Sequence, residues 1–119
     1  MSASEVDELI RAYLVYGHTE SEQDFWAWEA VTEMVAKEPA SAWPLLLGLI
    51  TAAPNETDLA YVAAGPLEEF LIDHGTAYLP QILIAAKSPK FLKALRGVWG
   101  KSRMAPEVRR AIESIFKPS

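Results

Sequence analysis

The sequence predicts a single all-α domain. Three observations carry that prediction. Apolar residues recur at helical spacing in every long segment, no segment sustains the alternation of a β-strand, and proline or glycine punctuates the periodic runs. A chain of 119 residues suits one domain, taken as 1–119, and half of it is hydrophobic with ten per cent aromatic, which is ample for a core. The expected architecture is a compact stack of about seven or eight short helices arranged as hairpins, either α-solenoid-like or an irregular bundle.

The first helix is expected from about Ser4 to Tyr16. Val6, Leu9, Ile10, Tyr13 and Leu14 keep i, i+3, i+4 spacing, Ser2 with Glu5 offers a capping box, and Gly17 is its stop. A second helix starts near Ser21 and carries Phe25, Trp28, Val31, Thr32 and Val35 on one inward face. It closes at Glu38-Pro39, because the residue before a proline resists helical geometry. Ser41 is the expected cap of a third helix, with Pro44 in the first turn and Leu45, Leu46, Leu47, Leu49 and Ile50 making it apolar nearly all round. Pro54 stops it.

Asn55 caps a fourth helix, whose Leu59, Val62 and Ala63 face inward. Gly65-Pro66 breaks or kinks it, and Pro66 opens a new helix through Phe70 and Leu71, ended by Gly75. Thr76 is read as the cap of the next, with Pro80 in its first turn. Ser88-Pro89 opens a short helix that Gly97 ends, and the last runs from about Pro106 to Phe116. A weak repeat at an offset of 35 aligns Ala42-Trp43 with Ala77-Tyr78, Leu47 with Ile82, Leu49 with Ile84 and Pro54 with Pro89. That period is the basis of the solenoid alternative.

The net charge of −5 conceals an asymmetry. Residues 1–86 hold fourteen of the sixteen acids against two bases, a net −12, whereas residues 87–119 hold nine bases against two acids, a net +7. Such halves either complement each other within the fold or present opposite faces to partners. There is no cysteine, which excludes disulfides and thiolate chemistry. The N-terminal residues are acidic and polar where a secretory signal is basic and then apolar, and the longest apolar run falls well short of the roughly 20 residues of a membrane span. No membrane association is expected, and the cytoplasm is the default compartment.

No catalytic, cofactor or metal residues are assigned. His18 and His74 have no partner histidine at helical spacing, and each reads as a helix-terminal residue favoured by the dipole. Neither a GxSxG nucleophile elbow nor a glycine-rich phosphate loop is present in the sequence. Glu68, in the first turn after the Gly65-Pro66 break, reads as an anion held by free backbone N–H groups. The candidate interaction surface is Trp26 with Glu22, Glu29 and Glu33, together with Tyr61, because an exposed tryptophan among carboxylates suits a protein-binding patch. The basic segment from Lys87 to Lys117 is a candidate phosphate contact, although the −12 segment repels a polyanion.

Residues 60–75, Ala-Tyr-Val-Ala-Ala-Gly-Pro-Leu-Glu-Glu-Phe-Leu-Ile-Asp-His-Gly, complete the pattern. With the upstream Ala42-Trp43-Pro44-Leu45 and the downstream Phe91 and Leu95-Arg96-Gly97-Val98-Trp99, the chain resembles an uncharacterised bacterial family of small helical domains, from about Trp26 to Trp99. The resemblance centres on Ala64-Gly65-Pro66-Leu67-Glu68. It implies a fold type and a bacterial source, and a cluster of Gly65, Pro66, Glu68, His74, Gly75 and Trp99 that matters together, but no activity.

Three functional classes follow. The first is a protein-interaction module, in its sharpest form an immunity protein or inhibitor that neutralises a basic partner. The second is a ligand-binding or enzymatic domain with Glu68, His74 and Trp99 around a pocket at the helix break. The third is nucleic-acid binding through residues 87–117.

Overall fold

The computed structural model describes residues 2–117. Eight α-helical segments follow in order: α1 (Ala3–Thr19), α2 (Phe25–Lys37), α3 (Pro39–Ala52), α4 (Glu56–Val62), α5 (Glu68–His74), α6 (Leu79–Ala85), α7 (Pro89–Arg96) and α8 (Pro106–Phe116). No strand occurs among the described residues, so the all-α reading holds. Segments α4 and α5 are joined by a π turn over Ala63–Leu67 and form one continuous, irregular rod.

Local rules set several boundaries as expected. Ser2 and Glu5 form the reciprocal capping box of α1. The Asn55 side chain accepts from Asp58 N–H at 2.9 Å, and Pro89 and Pro106 occupy the first positions of α7 and α8. Elsewhere tertiary contacts override the local signal. Gly17 does not end α1, which runs to Thr19 and is capped by Glu20 in the left-handed region at φ 49°. Gly17 instead makes room for a neighbour. A Cβ there would lie 2.7 Å from the Tyr61 ring, so its bareness lets α4 approach α1. Helix α3 begins at Pro39 rather than after Ser41, which puts Pro44 inside the helix with its ring exposed. Gly75 ends α5 as expected, in right-handed geometry, and Thr76 donates to Glu107 at 2.8 Å on α8 instead of capping α6.

The core is one cluster centred on α3. Its Trp43 meets Phe70 of α5 at 5.5 Å, Phe91 of α7 at 5.8 Å and Tyr78 at 6.1 Å between ring centroids. Leu46, Leu49, Leu67, Leu71, Ile82, Leu95 and Ile112 are fully buried around this aromatic centre. The packing is that of an irregular bundle. Helix α1 touches α2, α3 and α4, α2 reaches α5, and α3 reaches α7, whereas solenoid repeats touch only their neighbours. The sequence repeat has no structural counterpart, since Leu49 is buried and its aligned Ile84 is 66% exposed.

Candidate functional site

The helix break is a π turn inside the α4–α5 rod. Pro66 has no N–H to donate, and the ladder resumes when Glu68 N–H reaches back to the Ala63 carbonyl, a π-type bond. This extra residue turns Glu68 inward, where it is only 8% exposed. Its Oε1 accepts from the backbone N–H of Trp99 and of Gly100, both at 2.8 Å, and its Oε2 accepts from Arg103 Nη2 at 2.9 Å. A Cβ at Gly100 would stand 3.0 Å from this carboxylate, so the glycine admits the close approach. Glu68 thus clamps the segment between α7 and α8 through three charge-assisted bonds. Trp99 is bound by its backbone alone. Its ring is 86% exposed.

A cavity of about 330 Å³ opens beside the same π turn. Three helical stripes build it. Trp28, Thr32 and Ala36 come from α2, Gly65, Glu69 and Asp73 from the α4–α5 rod, and Tyr13 from α1. The first two stripes advance in four-residue steps, which place side chains on one face. Burial and the neighbouring Tyr61 hold the Tyr13 phenol proton far above the usual tyrosine range. Tyr61 stacks on Tyr13 at 5.1 Å and its buried hydroxyl has no hydrogen-bond partner. Glu68, His74 and Trp99 do not line this cavity.

The acidic face lies at the N-terminal half of α2. Phe25, Trp26 and Trp28 are all exposed, Trp26 at 44%, while Ala27, Val31 and Val35 are buried. Phe25 and Trp28, expected inside, instead stack on each other at 5.4 Å, with Phe25 also against Tyr16 of α1 at 5.8 Å. Trp26, Glu29 and Glu33 share one stripe of the helix, preceded by Glu22 in the entering turn. Glu33 pairs with the exposed Lys37 of its own helix at 3.4 Å, and neither Glu22 nor Glu29 has a cation within 4 Å among the described residues. Tyr61 stands apart from this stripe, packed between α1 and α4.

The basic end gathers on α7 and α8. Arg96 and Lys101 lie over the Phe116 ring at 5.3 and 5.8 Å, and Lys101, Arg110 and Lys117 border one shallow depression. Part of the basic segment is used internally. Lys93 pairs with Glu56 at 2.6 Å, whose carboxyl is held below its ordinary range by that hydrogen bond and charge. Lys90 Nζ donates to the carbonyls of Thr51 and Ala53, both at 2.8 Å, closing the C-terminus of α3.

Both histidines serve helix ends. His74 Nε2 donates to the Val35 carbonyl at 2.7 Å, in the last turn of α2 rather than only of its own helix. His18 lies in the last turn of α1 and contacts the buried Asp58. Of the motif cluster, then, the fold joins Glu68 to the Trp99 segment and places Gly65 and Pro66 beside the cavity. His74 goes elsewhere. Sequence reasoning missed Arg103, Asp58 and the cavity's Glu69 and Asp73. Only the i, i+4 spacing of the last two is visible in the sequence. Among the described residues no group of three metal-ligating side chains converges, and no helix is long and apolar enough to cross a membrane.

The molecule is therefore an all-α domain in which a salt-bridged, buried glutamate fixes a loop, with its exposed aromatics gathered in an acidic and a basic district. Residues 16–118 match the family described as a family of unknown function (DUF6869). The chain belongs to that family, which extends through the basic tail as well as the Ala64–Glu68 segment. No curated protein and no solved structure matches it.

Proposed function

We propose that this protein is a protein-interaction module, of the immunity or inhibitor kind, that binds a basic partner through the acidic face of α2. The observation that carries the reading is Trp26, held 44% exposed on a helix between Glu22 and Glu29, neither of which has a cation within 4 Å among the described residues. A tryptophan on a helix is a low-entropy anchor, and the surrounding acids supply complementarity and steering toward a cationic surface. A bacterial, cytoplasmic setting belongs to the same proposal. The test is affinity capture from the source cell with wild type and with Trp26→Ala or Glu29→Gln baits. A single basic protein retained by wild type and lost from both variants supports it. Identical captures on all three baits at low salt overturn it.

A second reading is favoured by one observation, the 86% exposed Trp99 beside the Arg96, Lys101 and Phe116 cluster. Aromatic and cationic groups together form a stacking and phosphate-binding surface for single-stranded nucleic acid. It requires a steep salt dependence of oligonucleotide binding that Trp99→Ala abolishes. No mobility shift at low salt removes it.

A further inference from the structure

We propose that the cavity beside the π turn binds an organic cation carried on an apolar stem. That chemistry is found at the end of a lysine or arginine side chain and in free alkylamines and alkylguanidines. The walls and the mouth of the cavity ask for different things. Trp28, Val35, Ala36 and Pro66 provide an apolar wall for a hydrocarbon stem. Glu69 and Asp73, one helical turn apart on α5, place two carboxylates at its border. Glu69 is shared with Arg103 at 3.7 Å, whereas Asp73 has no cation within 4 Å among the described residues. Trp28 adds the electron-rich ring that favours a cation over a neutral guest. An anion meets two like charges there, and a purely apolar guest crowds carboxylates that need solvation. The volume of about 330 Å³ lies within the ordinary range of small-molecule sites.

The proposal rests on the interaction-module reading only for the source of the cation. Trp28 belongs both to the cavity and to the exposed aromatic group with Phe25, so a basic segment lying along the start of α2 has this cavity within reach of a side chain.

The probes are butylguanidinium and butylammonium, with pentanol and butyrate as neutral and anionic guests of similar size, followed by amide and indole NMR. Saturable shifts are expected at the Trp28 indole and along residues 65–73 with both cations. Pentanol should bind at least ~10-fold more weakly, the factor a charge-assisted contact supplies, and butyrate should bind not at all. Asp73→Asn should weaken the cations by a similar factor. Ala36→Leu, a substitution on an exposed helix position that fills the cavity, should abolish binding while the rest of the spectrum is preserved. Equal affinity for pentanol, cation binding that survives both substitutions, or no shifts with either cation would each overturn the proposal. A capped Gly-Arg-Gly peptide identifies the source. Tighter binding than butylguanidinium supports a partner side chain, and weaker binding supports the cavity as a site for free cations. Trp26→Ala separates the two readings. Partner capture equal to wild type, with cation binding intact, sinks the module alone, and partner capture lost in this variant, with no cation shifts in the wild type, sinks this inference alone.

Discussion

Replacing Glu68 is the perturbation that most directly probes how the fold uses a buried charge. The carboxylate accepts three hydrogen bonds, two from backbone N–H groups and one from Arg103. A charge-assisted bond contributes roughly 1.5–3 kcal/mol and a neutral one roughly 0.5–1.5. In Glu68→Gln the amide oxygen can still accept from Trp99 and Gly100, but as a neutral acceptor, and its amine then faces the Arg103 donor. The expected cost is about 2–3 kcal/mol. Glu68→Ala removes all three acceptors and should cost about 3–5 kcal/mol, a large part of the roughly 5–15 kcal/mol of a domain this size. Arg103→Ala provides the contrast. Its side chain is largely solvated, so the loss should stay below about 1 kcal/mol. Urea unfolding followed by circular dichroism gives the three values. Limited trypsin digestion reports the local effect, since cleavage after Lys101 and Arg103 should accelerate in both Glu68 variants before global unfolding does. A Glu68→Gln protein within about 0.5 kcal/mol of wild type, with unchanged cleavage at those two bonds, would refute the clamp.

Three further outcomes follow from the packing. Tyr13 is nearly inaccessible and holds its proton in the folded state well above the ordinary tyrosine value of 10.0, because burial disfavours the phenolate. The unfolded chain therefore loses this proton first, so stability is complete below that pH and falls above it. The slope should approach about 1.4 kcal/mol per pH unit for each such phenol, and Tyr13→Phe should flatten it in alkaline urea titrations. Gly17→Ala should destabilise by about 1 kcal/mol despite its helix propensity, because the new methyl meets the Tyr61 ring. In a Tyr61→Leu background the same change should become stabilising, as a double-mutant cycle would show. Lys90→Met should cost about 1–2 kcal/mol in thermal melts by freeing two carbonyls at the end of α3, whereas Lys87→Met should be neutral.

The elements most legible in the sequence were those whose ends are set by their own neighbours. Pro106 to Phe116 is the last helix, Ser88-Pro89 opens α7, and Asn55 caps α4, because a fixed proline φ or a short side-chain acceptor acts within one turn. What failed to read locally depended on distant residues. Gly17 looks like a stop until Tyr61, forty-four positions on, occupies the space beside it. Thr76 looks like a cap until Glu107 takes its hydroxyl. Helical spacing points the aromatics of α2 inward, but Ala27 faces the core and Phe25 and Trp28 form a surface stack, since close α1–α2 packing admits a methyl more easily than an indole. The site was legible in the same uneven way. Glu68 carries a local signal, a carboxylate just past a proline break with backbone amides as its expected donors. The amides that satisfy it belong to a loop more than thirty residues away. No spacing rule connects them.

The division of charge bears on which surface is available to partners. Among the described residues, the ion pairs between the two halves lie along one edge. Glu56 of α4 meets Lys93, and Glu68 and Glu69 at the start of α5 meet Arg103, so the carboxylates spent on the basic segment come from the α4–α5 rod. The acids of α1 and the entry to α2, Asp7, Glu8, Glu20, Glu22, Asp24 and Glu29, have no cation within 4 Å among the described residues. Attraction between the two halves therefore neutralises the middle of the chain and leaves its beginning negative. With a Debye length of about 8 Å at physiological salt, that uncompensated field acts on an approaching molecule within the first hydration layers, and Glu22 and Glu29 bring part of it beside Trp26. The salt dependence of association should then follow substitutions at Glu22 and Glu29, and it should be insensitive to substitutions at Glu56, whose charge Lys93 already answers. If Glu56→Gln slowed association as much as Glu29→Gln does, the two charge districts would not be separable, and the acidic face of α2 would lose its claim to be the docking surface.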